Sequence, residues 1–302
     1  NNQIEGGFND RAYDFKQTKD KGFIIIGYNF DSTITSAKIS LIKTDSLGNM
    51  LWQRLYGGSS YDYGYSIDST NDGGYIIGGK TYSFGAGGSD LFLLKTDSTG
   101  DSLWLKTFGT IANDWFGNAV TTLDGGFILS GRLGQDQNGK DAYLVKTDSA
   151  GNIEWEGFYG RGSGLDRFYA VRQLPDSSYI AGGTTRDYNE SPWKPRGWLI
   201  KLTSNGDSLW SKTYTYYGGQ TDDYVEDINI TNDGGFIICG YVVNNSLPSK
   251  NDLWLVKTDS LGCVDTSCLI TGIKEKIIIN IQQPIIQIYP NPSTGKLTIM
   301  IP

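Results

Sequence analysis

Histidine is absent from the 302 residues, and that absence excludes more than any motif present includes. It removes the usual general base at neutral pH, the commonest metal ligand, and every Ser-His or Cys-His nucleophilic pair. Basic residues are outnumbered: 26 Lys and Arg against 33 Asp and Glu leave a formal charge of −7. That balance argues against nucleic acid or an anionic membrane as a partner, because phosphate binding needs a basic surface. No run of 18 or more apolar residues occurs, so no helix is long and apolar enough to cross a membrane. Cysteine is scarce. Cys239, inside FIICG, reads as a small buried hydrophobe. Cys263 and Cys268 frame the loop CVDTSC, which suits a local disulfide in an oxidising compartment or two thiols in a reducing one.

Glycine and tyrosine are abundant, 40 and 19 residues, which points to turns and strands rather than helices. One phrase recurs five times: DKGFIIIG at Asp20, DGGYIIGG at Asp72, DGGFILSG at Asp124, DSSYIAGG at Asp176 and DGGFIICG at Asp233. Each copy has Asp first, an aromatic three later, Ile four later and Gly seven later. A second phrase ends an apolar run in Lys43, Lys95, Lys146, Lys201 or Lys257, followed by a turn ending in Gly. In the first four copies Trp52, Trp104, Trp155 and Trp210 stand four residues past that Gly.

Each unit of about 52 residues therefore holds four short β-rich runs joined by turn chemistry. Asp-Gly-Gly supplies the positive φ of a tight hairpin. Four antiparallel strands at this period describe a β-propeller blade. The fold expected is all-β, a propeller of about five four-stranded blades over residues 1–270, with units starting near 10, 62, 114, 166 and 223. Closure is less regular. CVDTSCLITG replaces the fifth unit's last strand, so either the chain start lends a strand, the fifth blade closes imperfectly, or the ring is larger.

GGxxxDYGYSI, DGGYIIGG and LxKTDSxG resemble the glycine-rich propeller repeats of large exported bacterial proteins, a functionally diverse class that implies no activity. Residues 271–284 read as a linker. IIQIYPNPSTGKLTIMIP, residues 285–302, resembles the opening of the C-terminal sorting domain of Bacteroidota proteins exported by the type IX secretion system. The resemblance rests on Tyr289, Pro290, Asn291, Pro292 and Gly295. It implies a truncated β-sandwich, the type IX export machinery as partner, a secreted or outer-membrane surface location, and a Cys263–Cys268 disulfide.

With strands alternating in direction, the DGG and TDSxG turns share one face and the variable loops share the other. Function favours variable loops on a rigid scaffold. The longest such loop, Thr184 to Gly197, offers Arg186, Asp187, Tyr188, Glu190, Trp193 and Arg196 as a platform for a glycan or a protein ligand. Alternatively Trp193 tucks back over its blade. Asp10, Asp62, Asp114, Asp166 and Asp223 open successive first strands, and read either as an oxygen-rich calcium site around one channel mouth or as caps of their own turns. Three functions follow. A non-enzymatic binding module leads, ahead of a carboxylate-dependent polysaccharide hydrolase or lyase and a structural spacer.

Overall fold

The structure is a computed structural model, and it describes residues 10–31, 36–134, 142–160, 164–186, 194–216, 220–243, 251–264 and 298–300. These residues form five four-stranded sheets and no helix. The first sheet is β1 (Arg11–Gln17), β2 (Phe23–Asp31), β3 (Ser36–Thr44) and β4 (Met50–Tyr56). The second is β5 (Asp62–Ser69), β6 (Tyr75–Thr81), β7 (Asp90–Thr96) and β8 (Ser102–Phe108). The third is β9 (Trp115–Thr121), β10 (Phe127–Arg132), β11 (Ala142–Thr147) and β12 (Ile153–Tyr159). The fourth is β13 (Arg167–Gln173), β14 (Tyr179–Thr185), β15 (Arg196–Leu202) and β16 (Ser208–Tyr214). The fifth is β17 (Asp222–Ile230), β18 (Phe236–Val243), β19 (Asn251–Thr258) and β20 (Thr298–Met300).

In four sheets the strands pair antiparallel in chain order, as propeller blades do. The fifth differs at its edge. Among the described residues no antiparallel fourth strand follows β19, and Thr298–Met300 pairs parallel to it, with Leu255 opposite Ile299. An open strand edge offers unpaired backbone groups to such a segment. The motif residues Tyr289, Pro290, Asn291, Pro292 and Gly295 lie outside the described residues.

Within each sheet the two repeated phrases meet. The turn Asp receives the third-strand Lys: Asp20–Lys43 at 2.8 Å, Asp72–Lys95 at 2.9 Å, Asp124–Lys146 at 2.9 Å and Asp233–Lys257 at 2.7 Å. The second glycine of the turn makes room. A Cβ at Gly22, Gly74, Gly126 or Gly235 would lie 2.1 Å from a third-strand threonine carbonyl oxygen and 2.6–2.7 Å from the lysine Nζ. In the fourth sheet Ser178 brings that Cβ, and there Asp176–Lys201 opens to 3.8 Å.

Successive sheets are joined by three devices. Four apolar cores lie between them, such as Ile24, Ile26, Ile39 and Leu41 against Ile67, Ile77, Phe92 and Leu94; each fully buried aliphatic side chain contributes about 2 kcal/mol. On the outer rim, Trp52, Trp104, Trp155 and Trp210 lie against Gly100, Gly151, Gly206 and Gly262 of the next sheet, where a Cβ would come within 2.7–2.9 Å of the indole. Four residues past each Trp, the hydroxyls of Tyr56, Tyr159 and Tyr214 donate to the carbonyls of Gly100, Gly206 and Gly262, at 2.5, 2.8 and 2.7 Å. Phe108 occupies the equivalent place in the second sheet and has no hydroxyl to give. On the inner side, Asp14, Ser66 and Asn118 accept the backbone N–H of Ile67, Ala119 and Val171 on the following inner strand.

One inner strand from every sheet lines a cavity of about 560 Å³ through Lys16, Asp68, Thr121, Gln173 and Ile230. The middle sheets are buried on both faces, whereas β18 and β19 alternate buried and open positions, with Leu253 60% exposed. Among the described residues, the strand packing that joins the other sheets in sequence is not repeated between the fifth and the first.

Two outcomes are expected. Phe108→Tyr supplies the missing donor to Gly151 and raises stability by about 1 kcal/mol, read as a Tm increase of roughly 2–4 °C; an unchanged or lower Tm contradicts the rim latch. The Thr70 hydroxyl, against a partial burial penalty and helped by Lys95 and the Gly74 N–H, holds the Asp72 carboxyl down to about 2. Its contribution is present above the unfolded carboxylate range near 4 and disappears as pH falls toward 2. Asp72→Asn therefore flattens that part of the acid-unfolding curve and costs about 1 kcal/mol at pH 7, a figure reduced because the Asp72 side chain is 59% exposed.

Candidate functional site

The inner strands do not pair evenly with their neighbours. Register slips between Ala12 and Asp14, Gly64 and Ser66, Phe168 and Ala170, and Val225 and Asp227. In the third sheet the slip lies opposite Gly131, where Trp115 pairs with Arg132 and Asn118 with Ser130. The repeated glycine seven residues past the turn Asp accounts for this. A Cβ at Gly27, Gly79, Gly183 or Gly240 would fall 1.8–2.0 Å from the carbonyl oxygen of Arg11, Tyr63, Arg167 or Tyr224, so only glycine lets the inner strand press in and kink. At Gly131 the approach is looser, 3.0 Å to the Trp115 carbonyl. There Phe116 adopts φ 67°, an outlier for a bulky residue and a mark of local strain.

A bulge re-aims the extra residue. Here those residues are Tyr13, Tyr65, Phe116, Tyr169 and Glu226. The four rings touch in series, with centroids 4.9 Å apart for Tyr13–Tyr65, 6.5 Å for Tyr65–Phe116 and 4.4 Å for Phe116–Tyr169. Alternation along the second inner strand adds Tyr61 and Tyr63, which stack with Tyr65 in sequence, and Tyr28 meets Tyr63 edge-on at 5.0 Å. Tyr224 and Tyr241 stack at 4.7 Å. The first halves of the inner strands, where these residues sit, lie toward the variable-loop face.

Cations sit on these rings. Lys80 Nζ is 4.1 Å from the Trp115 centroid and 4.9 Å from that of Tyr82. The Arg167 guanidinium is 5.3 Å from Tyr169, 5.7 Å from Tyr224 and 5.9 Å from Phe116, and Arg11 is 5.6 Å from Tyr13. Lys80 is buried, while Trp115 is 40% exposed and presents a ring to solvent. Burial raises the Tyr65 and Tyr169 hydroxyls well above the ordinary tyrosine range, so both stay neutral donors. Glu226 keeps solvent contact, yet the surrounding protein raises its carboxyl above the usual range, opposed by Arg167.

The aspartates singled out in the sequence are engaged by the protein itself. Asp62, Asp114, Asp166 and Asp223 are fully buried, each held by donors close to its own loops. Asp62 accepts from Gly58 N, Thr81 Oγ1 and Ser83 Oγ, and Asp114 from Thr110 N and Gly134 N. Asp166 accepts from Thr185 Oγ1 and Arg186 N, and Asp223 from Tyr216 N and Thr221 Oγ1. Burial raises Asp223 to about 6, against the Thr221 hydrogen bond. Asp10 is exposed and accepts from Asn29 Nδ2 and Phe30 N. Among the described residues no three Asp, Glu, Cys or His side chains gather as a metal site. Arg186 and Arg196 border the loop after β14; Asp187, Tyr188, Glu190 and Trp193 lie outside the described residues. Cys239 is a free, half-buried thiol, and Cys263 is disulfide-bonded, with Cys268 outside the described residues.

Reading the sequence for variable loops passes over Tyr13, Tyr65 and Tyr169. Their signal was present: each stands three residues past the Asp that opens an inner strand, at the place of Gly117 in the third unit and Glu226 in the fifth.

No protein-family profile matches the chain, and no curated protein sequence does. Solved structures show the same fold at low identity. An exo-β-1,3-galactanase from Phanerochaete chrysosporium superposes with TM-score 0.50 and 12% identity over 83% of this chain and 61% of its own. A GH43 endo-arabinanase from Bacillus licheniformis gives 0.41 and 14% over 82% and 94%, and the Pan2 WD40 domain of Neurospora crassa 0.45 and 10% over 83% and 80%. The architecture is that of a β-propeller protein: all-β, with four-stranded antiparallel sheets set as blades.

Because the buried aspartates already take hydrogen bonds from donors near their loops, millimolar calcium is expected to leave the Tm unchanged. A rise of several degrees reversed by chelator contradicts this and restores the cation site.

Proposed function

We propose that the chain is a non-enzymatic binding module, a five-bladed propeller that takes a carbohydrate chain at the aromatic mouth of its central channel, with the variable loops around it. The observation that carries this reading is the solvent-facing indole of Trp115, set among Tyr82, Lys80 and the contiguous bulge rings. Ring faces stack on the C–H faces of pyranoses, and neutral phenols with a buried ammonium supply donors for hydroxyl groups. Arg186 and Arg196, which flank the connection from β14 to β15, belong to the same face.

Glu226 supports a second reading, a polysaccharide hydrolase or lyase, since a raised carboxyl is what a general acid requires. The binding reading is preferred because hydrolysis by this route needs a second carboxylate facing the first.

The location proposed is the cell exterior, secreted or held at the outer-membrane surface, with the type IX export machinery as partner. It rests on the Tyr289–Pro292 and Gly295 pattern. In that compartment Cys263 pairs with Cys268 across the CVDTSC loop.

A glycan array probed with the chain and with Trp115→Ala tests the binding reading. The wild type is expected to bind a defined set of glycans, and the variant about tenfold more weakly, in line with one lost stacking contact of about 1–1.5 kcal/mol, with its Tm preserved. No bound glycan, or equal binding by the variant, contradicts the proposal. Release of reducing ends from a bound glycan would favour the hydrolase.

A further inference from the structure

We propose that Arg167 anchors a carboxylate, so that the channel mouth takes an acidic sugar bearing one carboxylate per ring, a uronate. The proposal rests on the carbohydrate reading of the same mouth and specifies its ligand class.

Lysines of the repeat are matched within their own sheets. Lys43, Lys95, Lys146 and Lys257 each lie within 3 Å of a turn aspartate. Arg167 breaks that pattern. Its Nε is buried and makes no hydrogen bond, and among the described residues it forms no ion pair; its guanidinium lies among the rings of Phe116, Tyr169 and Tyr224. Lys80, 5% exposed, likewise has ring faces and one tyrosine hydroxyl for company, at 3.3 Å. In a chain of net charge −7, a half-buried guanidinium and a buried ammonium at one mouth, neither in an ion pair among the described residues, leave donor capacity open to a ligand.

The shape of that capacity selects the anion. A guanidinium held between rings keeps its planar fork oriented and matches a carboxylate through two parallel hydrogen bonds. Ring walls suit a flat pyranose. Glu226, close enough for Arg167 to act on its carboxyl, disfavours a dianion such as a phosphate monoester through like-charge repulsion, whereas a single carboxylate is balanced by Arg167. The strain at Phe116 fits the same account, because its φ of 67° sets the ring beside the guanidinium.

Calorimetric titration with trigalacturonate and with its methyl ester, which has the same backbone without charge, tests this on the wild-type chain. The acid is expected to bind at least tenfold tighter than the ester, with an advantage that shrinks as salt increases. Arg167→Gln is expected to bring the acid down to the ester's affinity while leaving the ester within twofold. Arg167→Lys, which keeps the charge and loses the fork, falls between and serves if the Gln variant does not fold. Equal affinity for acid and ester overturns the proposal, as does full-strength acid binding by a folded Gln variant. Binding of neutral glycans but not of either galacturonate overturns the anionic specificity alone; no binding of any glycan overturns the carbohydrate reading with it.

Discussion

The close approach of each inner-strand carbonyl to a glycine on the second strand is the constraint on which the site depends. At Gly27, Gly79, Gly183 and Gly240 that carbonyl occupies the space a Cβ would need. The inner strand therefore kinks and one residue is left out of the ladder. The glycine seven residues past the turn Asp, in sequence only part of a repeated phrase, is in the fold what admits the bulge. Because the device recurs at the repeat period, rings from successive sheets arrive at one depth and touch.

The two faces divide the labour. On the turn face, polar groups are satisfied locally: aspartate takes lysine within each sheet, the Trp and Tyr of one rim grip the glycine turn of the next, and the hydrogen-bonding capacity is used internally. On the loop face, the buried aspartates fix the loops, while Lys80 and Arg167 rest on aromatic rings and form no ion pair among the described residues. Stability thus resides in the repeated contacts. The mouth can then carry groups, such as the Arg167 Nε, that are buried without a hydrogen bond.

The four complete antiparallel sheets, the first three strands of the fifth and their turns were legible from a repeat of about 52 residues, because period-two alternation and Asp-Gly-Gly leave little freedom locally. The Asp–Lys pairing and its loosening at Ser178 follow from the same phrases once the two are known to face each other. The bulges were not legible. A slip of one residue changes no composition and shows only in the cross-strand register, so the recurrence of Tyr13, Tyr65 and Tyr169 three residues past each inner-strand Asp does not by itself reveal that their rings lie at bulges. Nothing in Thr298–Met300 announces a parallel pairing with β19.

The central claim is that the bulge residues and Trp115 form the binding surface. A crystal structure of the chain soaked with an oligouronide tests it most directly. The account predicts a pyranose stacked on Trp115 or on the Phe116–Tyr169 rings, with its carboxylate on the Arg167 guanidinium. A sugar seated on the outer loop between Arg186 and Arg196, with the channel mouth empty, would contradict it.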